Sequence, residues 1–177
     1  YLEDLSKFIA DLAKIADGCT LVLFTARRTM GEVAPRLQGY LKESDIEVLT
    51  QAQGNRTSIV ERFRNAPQNG EKLILLGLRA FWEGVDIPGD PLKILVISRL
   101  PFDYFEHPVA RAKRALYLSE GIDRDFFRDI TIPVTFLHLR QMFGRLIRTE
   151  DDRGVCVIAD PRIYSRRYGR DMLSQLS

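Results

Sequence analysis

Gln141, Arg145 and Arg148 carry the most specific chemistry in this sequence, within the run Gln141-Met142-Phe143-Gly144-Arg145-Leu146-Ile147-Arg148. At a helical period of roughly 100° per residue, the three fall within about 60° of one another. Phe136, Leu139, Met142, Phe143, Leu146 and Ile147 then lie on the opposite face, where they can anchor a helix to a core. Gly144 beside the stripe removes a side chain where another group can approach closely. Two permanently charged, forked donors one turn apart suit a polyphosphate better than a lone carboxylate. The sequence has no Gly-x-x-x-x-Gly-Lys-Ser/Thr loop, the usual cradle for such phosphates. The stripe therefore reads as half of a nucleotide site, set against the plainer reading of an amphipathic helix with solvated arginines.

Such a stripe needs a scaffold. Leu2, Leu5, Phe8, Ile9, Leu12 and Ile15 have helical spacing, ended by Asp17-Gly18. Apolar runs predict strands over 20–24, 46–49, 73–76, 94–97 and 155–159. Helices are expected over 29–43, 58–65, 109–119 and 133–148, with a last one beginning near Ser165. Strands alternate with helices and no two strands are joined by a two-residue hairpin. That pattern calls for an α/β fold, a doubly wound and mainly parallel sheet with helices on both faces. In open sheets of this kind, ligands gather at loops after the C-terminal ends of strands. Residues 25–28, 77–90, 99–102 and 160–162 sit there.

One domain is the simplest reading of 177 residues. Apolar content of 45% and charged content of 28% are ordinary for a globular chain, and a net charge of +2 does not by itself argue for nucleic acid. The 20 Arg against 6 Lys reflect either phosphate recognition or genome composition. Cys19 and Cys156 stand far apart, so neither a metal ligand set nor a disulfide framework is expected, and both read as strand residues. His107 and His138 have no partners at ligand spacing. No apolar run approaches the ~20 residues of a membrane span, so no membrane partner is expected. A chain that opens on Tyr1 fits a piece of a longer polypeptide.

The segment Leu76-Gly77-Leu78-Arg79-Ala80-Phe81-Trp82-Glu83-Gly84-Val85-Asp86 places an aromatic pair and two carboxylates just beyond a buried strand. Phe81-Trp82-Glu83-Gly84-Val85-Asp86, then Arg99-Leu100-Pro101-Phe102, then Gln141-x-x-Gly144-Arg145-x-x-Arg148 together resemble the DinG/XPD group of superfamily 2 DNA helicases. The likeness is greatest to the bacterial DinG-like branch. It covers nearly the whole chain, as that group's second RecA-like motor domain, which lacks a P-loop of its own. Residues 21–25 resemble its first motif, the Trp82 segment its motif V, and residues 141–148 its motif VI. Asp160-Pro161-Arg162 with Tyr168-Gly169 resembles its closing segment.

The resemblance implies roles position by position. Gln141, Arg145 and Arg148 face a triphosphate, with Arg148 and also Arg145 as arginine fingers. Glu83, Gly84, Asp86 and Gly144 belong to the nucleotide side, Asp86 accepting a ribose hydroxyl or pairing with a motif VI arginine. The alternative is that Glu83 and Asp86 only satisfy backbone donors in a tight loop. Phe81 and Trp82 either stack on a base or fill the core. Thr25, Arg27, Arg79 and Gln53 fall on the nucleic-acid side. Here the sequence departs from the pattern: Ala26 and Arg27 replace a small hydroxyl and an aromatic, and Leu78 and Ala80 replace small polar residues. Arg27, Arg28 and Arg79 then substitute charge for hydrogen bonds, which raises salt sensitivity. Gln53-Gly54 is either near the DNA groove or simply a turn, and the 162–170 arginine cluster is either a backbone contact or a basic surface.

The implied cofactors are ATP and Mg²⁺, held mainly by an N-terminal motor domain outside this chain, to which any iron–sulfur cluster would also belong. The implied partners are single-stranded DNA, translocated 5′→3′, and that N-terminal domain, in the cytoplasm at the nucleoid. The isolated chain is expected to be inactive. Two rivals stand beside this reading: a DinG-like nuclease, and a non-unwinding binding module with a retained motor fold. A dinucleotide-binding oxidoreductase is disfavoured, because no Gly-x-Gly-x-x-Gly follows a strand.

Overall fold

β1 (Cys19–Phe24) is buried at all six positions. A strand buried on both faces belongs inside a covered parallel sheet. The computed structural model describes residues 1–16, 19–78, 92–102, 108–119, 125–146 and 153–176, and there β1 is the central strand. β3 (Lys72–Leu78) and β4 (Leu92–Ile97) flank it, with β2 (Ile46–Thr50) and β5 (Val155–Ile158) outermost. The order is β2-β3-β1-β4-β5 and every pairing is parallel. The sheet is the doubly wound α/β arrangement expected from the alternating pattern.

Parallel neighbours need crossover connections. α2 (Arg27–Leu41) supplies one between β1 and β2, and α3 (Arg56–Asn65) another between β2 and β3. α1 (Leu2–Ile15) buries Leu5, Ile9, Ala10 and Ala13, while α2 buries Met30, Val33, Leu37 and Leu41. These meet alternate strand residues, Val22, Phe24, Val48, Ile74, Leu76, Ile94 and Val96, in one core. The other face carries Leu21, Leu23, Leu73, Leu75, Leu95 and Ile97, each no more than 2% exposed. The buried stripe of α2 outweighs the poor helix propensity of Gly31, Pro35 and Gly39.

The chain divides into two compact units. The first, Tyr1–Arg99 with Gln141–Asp160, holds the sheet and α1 to α3. The second comprises Leu100–Arg140 with Pro161–Ser177. It contains α4 (Pro108–Ser119), a π-helical turn at Phe127–Thr131, most of α5 (Ile132–Phe143), α6 (Arg162–Ser165) and α7 (Arg167–Ser174). Its rings form a cluster: Phe102 stacks on Phe127 at 5.8 Å between centroids, and Tyr168 meets both edge-on at 5.8 and 5.7 Å. The Arg162 guanidinium lies over Phe102, 4.9 Å from its centroid.

Element limits differ from expectation at a few ends. α2 begins at Arg27 and stops at Leu41, and α5 ends at Phe143, five residues before Arg148. Asp17 and Gly18 lie outside the described residues.

Candidate nucleotide and nucleic-acid sites

Thr25 leaves β1 at the C-terminal edge of the sheet, next to Phe24, which pairs with Leu78 of β3. It is exposed, as are Ala26, Arg27 and Arg28. Ala26 is the N-cap of α2 and offers no side-chain acceptor to the first helical N–H groups. Those donors, with the positive end of the helix dipole, favour an anion. Arg27 and Arg28 sit where the dipole disfavours cations, so this helix start concentrates positive charge. Arg28 is engaged by Glu32 at 2.8 Å, and that hydrogen bond raises its pKa further. A phosphate group suits the arrangement.

The next loop, between β2 and α3, reaches the same edge. Gln51 donates its backbone N–H to the Leu76 carbonyl at 3.3 Å, and its Oε1 accepts from Leu78 N–H at 3.0 Å. Gln53 turns back, its Oε1 accepting from Thr50 N–H at 2.6 Å. Asn55 caps α3 by accepting from Ser58 N–H at 2.8 Å. Gln51 was not singled out by the sequence. The available signal was the end of β3, whose last amide needs an acceptor. Ser98 and Arg99 follow β4 at this edge: Ser98 N–H donates to the Leu23 carbonyl at 3.0 Å, and its carbonyl accepts from Tyr1 Oη–H at 2.7 Å. Arg99 covers the Tyr1 ring at 4.5 Å.

Arg145 lies at the opposite edge of the sheet. Its neighbour Leu146 packs so closely on Gly154 that a Cβ there would stand 2.5 Å from Leu146 Cδ1 and 2.9 Å from the Lys93 carbonyl oxygen. Lys93 is the second residue of β4, at a bulge where Cys19 and Thr20 pair with Leu92 and Ile94. Five residues of strand, roughly 17 Å, separate that level from Thr25. The structure thus brings Thr25, Arg27, Gln51 and Gln53 to one edge and sets Arg145 at the other. Gln141 is exposed on the last turn of α5, and Gly144 is exposed just beyond it.

Arg145 lies beyond the last helical residue, Phe143, so it does not continue a helical stripe from Gln141. Past Phe143 the chain tightens: Arg145 N–H donates to Met142 O at 3.0 Å and Leu146 N–H to Phe143 O at 2.9 Å, each spanning three residues instead of four. Leu139, Met142 and Leu146 are nevertheless buried, as the apolar face required. Arg148, Ile147, Arg79, Phe81, Trp82, Glu83, Gly84, Asp86 and His107 lie outside the described residues.

Burial raises the Cys19 thiol above its ordinary pKa and pushes Cys156 up to about 11, so neither is a ready nucleophile at neutral pH. Among the described residues no group of three or more His, Cys, Asp or Glu is placed to hold a metal ion. None of the described helices is long and apolar enough to cross a membrane.

A family model of the helicase C-terminal domain matches residues 9–177. The chain belongs to that family. As a helicase C-terminal domain it is 35% identical to the 3'-5' exonuclease DinG of Bacillus subtilis, over 99% of this chain and 18% of that protein. It is 38% identical to the ATP-dependent DNA helicase DinG of Photobacterium profundum, over 89% of this chain and 22% of that one. The ATP-dependent DNA helicase YoaA of Escherichia coli is 30% identical over 98% of this chain and 26% of its own length. The chain therefore spans about a fifth to a quarter of these relatives. A solved XPD helicase superposes with a TM-score of 0.71 at 18% identity, over 99% of this chain and 30% of that chain. Xpd4 of S. tokodaii gives 0.68 at 20% identity, over 96% of this chain and 32% of its own. These likenesses establish the RecA-like fold of the helicase C-terminal domain.

Proposed function

We propose that residues 1–177 act as one C-terminal motor domain in a longer ATP-dependent DNA helicase of the DinG-like kind. The family match over residues 9–177, with Gln141, Gly144, Arg145 and Arg148 all retained, carries this reading. Arg145 and Arg148 serve as arginine fingers, and Gln141 contacts the triphosphate beside them. ATP and Mg²⁺ are held chiefly by the N-terminal motor domain, where the ion neutralises charge on the phosphates. Gly144 leaves space at the fingers, while Glu83, Gly84 and Asp86 complete the nucleotide side. Thr25, Arg27, Arg79 and Gln53 hold the single strand, and the uncapped start of α2 supports the phosphate contact. Closure of two motor domains over ATP, then release, moves the strand 5′→3′. The protein works on DNA at the nucleoid, in the cytoplasm.

The test is ATP hydrolysis by the full-length protein with and without single-stranded DNA. Wild type should be strongly stimulated. Arg145→Ala and Arg148→Ala should each lose ~10³-fold or more in turnover while still binding DNA. Unchanged turnover in both variants refutes the finger assignment.

A second reading has its own observation, the 35% identity to a protein named as a 3'-5' exonuclease. Under it the motor fold is retained in a DNA-degrading enzyme. Measuring strand displacement and 3′-end degradation on one tailed duplex separates the two.

A further inference from the structure

We infer that a groove in the second unit is a base-stacking site for single-stranded nucleic acid, built from residues other than Thr25, Arg27, Arg79 and Gln53. The inference rests on the DNA reading above and adds a second contact surface to it. The groove has a volume of about 570 Å³, within the range that holds a nucleotide-sized group. Phe127, Phe136 and Tyr168 line it, with Arg128 and Arg167 exposed beside them.

The rings are held before any ligand arrives. Phe127 is stacked on Phe102, Tyr168 abuts both edge-on, and Arg140 lies over Phe136 at 6.0 Å. A fixed ring loses little entropy on binding, and a base offers a π-face to it whatever its sequence. The two arginines suit the phosphates that flank a stacked base. Asp125 and Asp171 also line the groove, but Asp125 Oδ1 already accepts from Phe127 N–H at 3.0 Å. Within the groove two guanidiniums stand against two carboxylates, and the wider unit adds positive charge: its sequence has ten basic against seven acidic side chains, whereas the first unit has 16 against 17. An acidic peptide would use the arginines and leave the planar rings idle; a polynucleotide uses both.

The test uses full-length protein with a fluorescent oligothymidine, its Kd read by anisotropy over a salt series, and a 5-iodouracil version for photocrosslinking. Crosslinks to Phe127, Phe136 or Tyr168 are expected. Phe136→Leu should weaken Kd roughly 5- to 150-fold, the loss of one stacked base. Arg128→Gln with Arg167→Gln, both at exposed positions, should lower the salt slope by roughly 1.4, at ~0.7 per lost phosphate contact. Crosslinks confined to other residues, with Kd and slope unchanged in these variants, overturn the groove while leaving the motor reading intact. Failure of wild type to bind the single strand overturns both.

Discussion

Gly144 separates the last residue of α5 from Arg145, and its backbone does not demand glycine. Among the described residues only Gly70, with φ 71°, adopts the left-handed conformation. Under the proposed nucleotide reading, the missing side chain at Gly144 leaves space beside Arg145. Gly169 is constrained differently. A Cβ there would lie 2.1 Å from the Arg162 carbonyl oxygen and 2.7 Å from Ile163 Cα, so the α6 and α7 backbones would have to part. Gly169→Ala should cost about 1–3 kcal/mol in urea unfolding; an unchanged midpoint would show that the junction yields freely. Cys156 makes a pH-dependent contribution. Its folded pKa of about 11 exceeds the ordinary value of 9.0, so between those pH values the folded chain holds a proton that the unfolded chain has released. Stability must then fall as pH rises through that window. Comparing urea midpoints at pH 8.5 and 10.5, Cys156→Ala should show a smaller drop than wild type.

At the scale of elements, α2 and α3 start in contrasting ways. Asn55 caps α3, whereas Ala26 leaves α2 uncapped. Asn55→Ala should remove about 1 kcal/mol, measured as a shift in denaturation midpoint. Ala26→Asp should do the opposite at α2, adding stability while competing with phosphate and weakening single-strand binding. The elements were largely legible, because each strand is a short β-branched or leucine-rich run and each long helix has an apolar stripe. The end of α5 was not. Its apolar spacing runs on through Leu146, which stays buried although the backbone has already left the helix. Periodicity reports which side chains face a core, not which hydrogen bonds the backbone makes. Gln51 is not legible in the sequence for a related reason: its role depends on β3, which lies 27 residues from it at Leu78. Arg145 and Thr25 were legible as motif residues, but only the packing of Leu146 on Gly154 beside Lys93 of β4 sets the Arg145 turn at the opposite end of the strands from Thr25.

For the whole molecule, the central strand should be the most persistent part. β1 has a partner on either side and is buried on both faces, while β5 is an edge strand with Val155 exposed. In native-state hydrogen exchange, amides of Leu21, Val22 and Leu23 should exchange slowest and those of β5 much sooner. Equal rates in the two strands would contradict that ordering. The alternating pattern announced a parallel sheet, but not that both neighbours of β1 come late in the chain. Thr20 pairs with Ile74 and with Ile94, 54 and 74 residues downstream. At about 5–20 residues per second, a ribosome needs roughly 3–10 s to make the first of those partners. During that interval a strand that ends up buried at all six positions has neither of its sheet partners, which makes the nascent chain a natural client for a holding chaperone until β3 emerges.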